Sequence, residues 1–141
     1  MAKIDQYEFP DDLFFTEEHV WARLEGDIVT IGLSQFGQEL AGRIAYVEMP
    51  LAGRAVAKGE PFMSMESGKW VGRVKAPVSG TIEAANGELE WESEMVNTDP
   101  YGKGWLARIK ASNTAEVNGL LKAGSPEFAA LIAAERAKYK K

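Results

Sequence analysis

The sequence has no cysteine, a single histidine and no long apolar run, and each lack removes a class of function. Without cysteine there are no disulfides, no thiolate ligands for zinc or iron–sulfur clusters and no thiol nucleophile, a composition that fits a reducing compartment. His19 alone cannot build a histidine-rich metal site, and any histidine acid–base chemistry would rest on it. Placed just before a β-rich run, it reads first as a residue held by local hydrogen bonds. The longest apolar run, residues 128–134, is far too short to cross a bilayer. Met1-Ala2-Lys3 leads into no apolar segment of the kind that marks a secretory signal. The expectation is a soluble, cytoplasmic protein with no membrane partner.

Positive charge is also in short supply. Sixteen Lys and Arg against 21 Asp and Glu leave a formal net charge of −5, which argues against nucleic acid as a partner. The charge is segregated along the chain. Residues 77–99 contain six acids (Glu83, Glu88, Glu90, Glu92, Glu94, Asp99) and no Lys or Arg. Residues 54–75 contain five bases (Arg54, Lys58, Lys69, Arg73, Lys75) against two acids, Glu60 and Glu66.

What is present is globular: 141 residues, 45% hydrophobic and 26% charged, enough to enclose one core without cross-links. We expect one domain over 1–141, mainly β, with a core over 13–110 and a helical layer over 113–139. Residues 20–24 and 28–33 are β-rich runs separated by Glu25-Gly26-Asp27, a hairpin signal. Ser34 is placed to cap a short helix in which Phe36 and Leu40 share a face. Residues 43–48 alternate, with Ile44, Tyr46 and Glu48 on one side and Ala45 and Val47 on the other. Extended runs follow at 62–66, 70–75 and 81–85, with 106–110 as the last strand. Asn113 with Glu116 three residues on resembles a capping box, with Val117, Leu120 and Leu121 as a helical stripe. Ser125-Pro126 opens a second helix with Phe128, Leu131 and Ile132 on one face. Arg136, Lys138, Lys140 and Lys141 read as its solvated end, near the negative pole of the helix dipole.

The chemistry lies in residues 58–80. Lys58-Gly59-Glu60, Met65-Glu66-Ser67-Gly68-Lys69-Trp70 and Ala76-Pro77-Val78-Ser79-Gly80 read as strand, tight turn with a central lysine, strand and second turn. A lysine at a hairpin tip is usually a solubilising charge. Here glycines and a proline on both sides make a rigid hairpin that presents it, and Gly68 is suited to a left-handed turn residue.

This pattern resembles the lipoyl attachment hairpin of the glycine cleavage system H protein family. Glu66-Ser67-Gly68-Lys69 is similar to the family's Glu-Ser-x-Lys, and Ala76 to Gly80 to its Ala/Ser-Pro-x-Ser-Gly, with Gly80 eleven residues after the lysine. Glu18-His19-Val20-Trp21 is similar to Glu/Ser-His-Glu-Trp. Ile31-Gly32-Leu33 through Gly42 resembles the family's strand-to-helix segment. Glu94 through Trp105 follows its Leu-Val/Ile-Asn-x-x-Pro-Tyr-x-x-Gly-Trp box. The resemblance runs from about Leu13 to the final helix. It implies a barrel-sandwich hybrid and lipoate amide-linked to Lys69 as a swinging arm, with Glu66, Ser67 and Gly68 as the attachment motif. It implies a non-catalytic carrier whose partners are a lipoate attachment enzyme, glycine decarboxylase, aminomethyltransferase and dihydrolipoamide dehydrogenase.

Two positions depart from the family. Its acidic residue before the tryptophan, which with others receives a cationic amino group on the arm, is Val20 here. Its aspartate four residues after the modified lysine is Arg73. Trp70, Arg73 and Lys75 replace small or neutral residues, and with Arg54, Lys58 and His19 they are the expected surroundings of the arm. A positive rim would suit an anionic cargo, as in H-like lipoate-binding proteins that serve a heterodisulfide-reductase-like sulfur oxidation system. That pathway is the reading these departures favour, with the conventional aminomethyl carrier as the alternative. Drift on an exposed hairpin would also produce them. A biotin carrier is disfavoured because that family flanks its lysine with methionines, whereas Gly68 and Trp70 flank Lys69. Ser64, Ser67 and Ser79 have no histidine base in their segments, and the pairs Asp11-Asp12 and Glu17-Glu18 read as solvated charge. An interaction module with unmodified Lys69 is the remaining alternative.

Overall fold

Strands form where apolar and polar residues alternate, so that one face turns inward. Ala107, Ile109 and Ala111 are buried while Arg108 and Lys110 face solvent. The computed structural model describes residues 2–4, 7–10, 12–68 and 71–139. Lys69 and Trp70 lie outside the described residues, as do Asp11, Lys140 and Lys141.

In chain order the strands are β1 (Ala2–Ile4), β2 (Tyr7–Phe9), β3 (Phe14–Phe15), β4 (Val20–Glu25), β5 (Ile28–Leu33), β6 (Ile44–Glu48), β7 (Ala55–Val56), β8 (Pro61–Ser67), β9 (Val71–Lys75), β10 (Gly80–Ala85), β11 (Ala107–Ala111) and β12 (Leu121–Lys122). The helices are α1 (Gln35–Ala41), α2 (Met95–Thr98) and α3 (Pro126–Tyr139), with 3-10 helices over Gly87–Glu90 and Thr114–Gly119. One antiparallel sheet has the order β12-β3-β4-β5-β11-β10-β7, a second the order β6-β8-β9, and β1 pairs with β2. Val29, Ile31, Val47, Met65, Val74 and Ile109 belong to the core cluster that spans the two larger sheets. A second cluster is aromatic. Phe128 of α3 stacks on Phe15 at 4.7 Å and meets Phe9 edge-on at 4.8 Å. The expected mainly β, sandwich-like architecture with a C-terminal helix is therefore present. Among the described residues no helix is long and apolar enough to cross a membrane.

Local signals set several elements. Ser34 Oγ accepts from Gly37 N at 3.1 Å and caps α1, with Phe36 buried beneath it. Gly26 takes φ +66° in the turn joining β4 to β5. Ser125 Oγ accepts from Phe128 N at 3.2 Å and starts α3.

Two expectations change. Tyr46 does not share a buried face with Ile44: a bulge between them shifts the register, so Ile44 and Val47 are buried and Tyr46 is 55% exposed. Residues 113–121 are not an α-helix. The Asn113 side chain accepts from Ala115 N, a tight 3-10 helix follows, and Leu121 pairs with Phe15 in a strand after the expected last one. The capping box fails because the Glu116 carboxylate is engaged elsewhere, accepting from Ser79 N at 2.8 Å.

Candidate functional site

Strands β8 and β9 pair as far as Glu66 opposite Val71, and Lys69 falls between those two residues in sequence. From there β9 supplies Gly72, Arg73 and Val74 to a cleft of about 510 Å³. Its other walls come from Val20 at the start of β4, from Leu40 and Ala41 of α1, and from Leu131 and Glu135 of α3. Glu17, Glu18 and His19 line it where the chain enters β4. Residues 17–20, 37–41, 72–74 and 131–135 thus meet at one place beside the hairpin. Val20, Leu33, Leu40, Val74 and Leu131 give it an apolar lining.

His19 is the pivot of this site. It is buried and has φ +69°, the one left-handed non-glycine among the described residues. Its N–H donates to Thr16 O at 3.1 Å and its carbonyl accepts from Ser34 N at 2.9 Å, which fixes the turn. Gly37 lets α1 approach: a Cβ there would lie 2.8 Å from His19 Cβ. The imidazole packs edge-on against Phe36, and Nε2 lies 3.2 Å from Glu135 Oε1. The expected local hydrogen bonding is made by the backbone, to Thr16, while the side-chain partner comes from α3. Nδ1 is buried without a hydrogen-bond partner among the described residues. Burial pushes the His19 pKa below 6.5, against the opposing pull of Glu135. The neutral ring with the proton on Nε2, donated to Glu135, satisfies this geometry best.

The expected basic surroundings divide into three. Arg73 lines the cleft. Lys58 and Lys75 line a smaller depression of about 240 Å³, which shares Glu17 and Glu18 with the first. Arg54 lines neither, because its guanidinium donates to Glu60 at 3.0 Å and is 3.4 Å from Phe62 O. Glu60 is held below its ordinary pKa by the Ala57 N–H and by Arg54. Extended chain travels roughly 3.3 Å per residue, so bases close in sequence are carried apart. Of the charged side chains that line the cleft, Arg73 is the one base, beside three carboxylates, Glu17, Glu18 and Glu135.

In the attachment motif Glu66 is exposed, and Ser67 Oγ donates to Ala41 O at 2.5 Å, tying the end of β8 to α1. Gly68 has open space where a Cβ would go and is not among the left-handed glycines, so no turn strain requires glycine there. The other family-like segments are scaffolding. Trp21 Nε1 donates to Pro100 O at 2.8 Å, and its ring fills the place of a Gly32 side chain. Asn97 donates to Gly42 O at 2.8 Å and accepts from Ile44 N at 2.9 Å. Glu135 was missed in the sequence. Its signal was available: it follows Phe128 and Ile132 by seven and three residues, a carboxylate on the apolar face of α3.

A hairpin presented by two stacked antiparallel sheets defines the lipoyl-domain-like class of carrier folds. The sequence pattern of the glycine cleavage H-protein family matches residues 13–130. The H protein of Rubrobacter xylanophilus is 44% identical over 110 residues, 78% of this chain and 87% of its own. That of Thermus thermophilus is 43% identical over 117 residues, 83% of this chain and 91% of its own. The crystal structure of a glycine cleavage system H protein from Mycobacterium marinum superposes with TM-score 0.78 at 30% identity, covering 89% of this chain and 99% of that one. This chain belongs to the glycine cleavage H-protein family. Proteins of this family carry lipoate covalently on a lysine. Val20, Leu33, Leu40, Val74 and Leu131 give the cleft apolar surface that would suit the hydrocarbon part of such a group.

Proposed function

We propose that this chain is a lipoyl carrier protein, not itself a catalyst, with Lys69 as its attachment residue. The observation that carries the reading is the cleft beside β9, with one apolar part and one charged part, built from separate parts of the chain next to the hairpin whose sequence contains Lys69. Lipoate, when attached, supplies reversible dithiol–disulfide chemistry. The chain's residues do the rest. Lys69 provides the amine that is acylated; Val20, Leu40, Val74 and Leu131 offer the arm an apolar wall; the charged side chains select what enters. The test is intact mass. Native protein is expected to carry a lipoyl increment that is lost in Lys69→Arg, which retains charge but not an acylatable amine, while the fold survives. Persistence of the increment in that variant refutes Lys69, and a biotin increment or none refutes the cofactor.

The cargo reading favoured by the family's named relatives is the aminomethyl group of glycine cleavage, with glycine decarboxylase, aminomethyltransferase, dihydrolipoamide dehydrogenase and a lipoate attachment enzyme as partners. Glu17, Glu18 and Glu135 supply carboxylates for a cationic amine despite the loss of acids at Val20 and Arg73. A second reading rests on one observation: Arg73 and Val20 lie in the same cleft. An anionic sulfur adduct of a heterodisulfide-reductase-like system would be favoured by that pair. Assay of the lipoylated protein with glycine decarboxylase separates them. Turnover like that of an ordinary H protein supports the first. Weak turnover improved by Val20→Glu with Arg73→Asp, more than by either alone, supports the second.

A further inference from the structure

Away from the cleft, two aromatic side chains stand largely in solvent. Trp91 is 85% exposed and Tyr46 is 55% exposed. The turn that carries Trp91 is anchored by its neighbour Leu89, which is 1% exposed, so folding does not require an indole there. Both aromatics line a groove of about 460 Å³, together with Val47, Met49, Glu48 and Glu90. The groove follows the outer side of β6, an edge strand of its sheet, where it faces the 3-10 helix Gly87–Glu90. Tyr46 is paired with Glu66, so an occupant would lie alongside the hairpin.

The charged side chains that line the groove are all carboxylates. Glu48 and Glu90 line it, and Glu92 and Glu94 adjoin Trp91 in the next depression. Glu94 is already paired with Arg43, and Glu48 accepts weakly from Ser64 Oγ at 3.3 Å. Glu90 and Glu92 are exposed. An indole face attracts a guanidinium, and carboxylates around it add to that attraction. A second copy of this chain would bring like charge to the patch, and nucleic acid or anionic lipid would be repelled.

We propose that the groove between β6 and the 3-10 helix Gly87–Glu90 is a docking surface for an arginine-bearing segment of a partner protein. Trp91 and Tyr46 are its aromatic anchors, and Glu48, Glu90 and Glu92 are its charge complement. Aromatic anchors of this kind concentrate binding energy at interfaces. The surface stands apart from the cleft and does not require Lys69 to be modified.

The test is titration of the full-length protein with hexa-arginine at low salt, read by calorimetry. Saturable binding is expected, and Trp91→Ala should weaken it about three- to fivefold, the scale of an exposed cation–π contact. Glu90→Gln with Glu92→Gln should weaken it further. Glu25→Gln with Glu127→Gln, the same charge change at distant exposed positions, should leave it unchanged. Circular dichroism checks that each variant is folded. Equal weakening by the distant pair, or no effect of Trp91→Ala, would show diffuse attraction and overturn the proposal. Self-association in sedimentation that Trp91→Ala abolishes would also overturn it, since the occupant would then be a second copy.

Discussion

His19 is the only histidine in the chain, so its titration can be followed without assignment by NMR. Its folded pKa is expected below 6.5, because burial disfavours the imidazolium. Glu135→Gln should lower it further, since Glu135 opposes the effect of burial most strongly, ahead of Glu18. Because the folded pKa is depressed, the unfolded chain takes up the proton first. The neutral buried ring therefore contributes stability that is complete above the unfolded value and is lost as pH falls through the folded one. Thermal unfolding measured from pH 7 to pH 5 should show a steeper decline in the parent than in His19→Gln. Tyr101 is a second residue whose burial has consequences. Its pKa is pushed up to about 12, mainly by burial, so it stays a phenol. Its hydroxyl accepts from Gln35 N at 3.0 Å and donates to Glu8 O at 2.6 Å, joining α1 to β2. Tyr101→Phe leaves both partners short of a bond and should cost about 1–3 kcal/mol in chemical denaturation.

At the scale of elements, the turn after β9 is the joint that fixes the hairpin's base. Ser79 N donates to Glu116, Ser79 Oγ accepts from Lys58 N at 2.9 Å, and Gly59 N donates to Ala76 O at 2.8 Å. Three chain segments are held at one point, and Gly80 follows immediately. A Cβ on Gly80 would lie 2.1 Å from Lys110 O, so the glycine is required by the approach of β10 to β11. Gly80→Ala should therefore cost at least about 1–3 kcal/mol, because backbone and not a flexible side chain must give way. Gly68→Ala meets nothing and should stay within about 0.5 kcal/mol of the parent. Denaturant midpoints of the two variants compare a glycine of packing with one of the attachment motif. A large loss at Gly68 would contradict the open space around it.

At the scale of the whole molecule, α3 does two things at once. Phe128 and Ile132 seal the aromatic cluster, and Leu131 and Glu135 form one wall of the cleft. Stability and site geometry are thus linked through one helix. Phe128→Ala should cost about 3–5 kcal/mol, as for other large aromatic truncations in a core. It should also loosen the hold of Glu135 on His19, and the two effects can be read together from unfolding and from the histidine titration. The charge distribution operates at the same scale. Glu90, Glu92 and Glu94 are exposed around Trp91, while Arg73 lines the cleft. One small molecule therefore presents two surfaces of different character to its surroundings.

The sequence by itself determined what depends on local chemistry. Alternation placed most strands, Ser34 and Ser125-Pro126 marked the helix starts, and the spacing from Glu66 to Gly80 marked a hairpin carrying a lysine. These signals are legible because caps, turns and strand faces are set by neighbours within a few residues. Only the tertiary structure decided the rest. Glu116 was read as a local cap, yet its carboxylate serves Ser79, 37 residues away. Tyr46 lies two residues from Ile44, the spacing of one strand face, yet a bulge turns it to solvent. Arg54, Lys58, Arg73 and Lys75 lie within 22 residues of sequence, yet Arg54 pairs with Glu60, Arg73 lines the cleft, and Lys58 and Lys75 line the smaller depression. Glu135 joined the site from 116 residues beyond His19. A side chain chooses its partner by distance in space, and contacts of that range exist only once the sheets and α3 have packed.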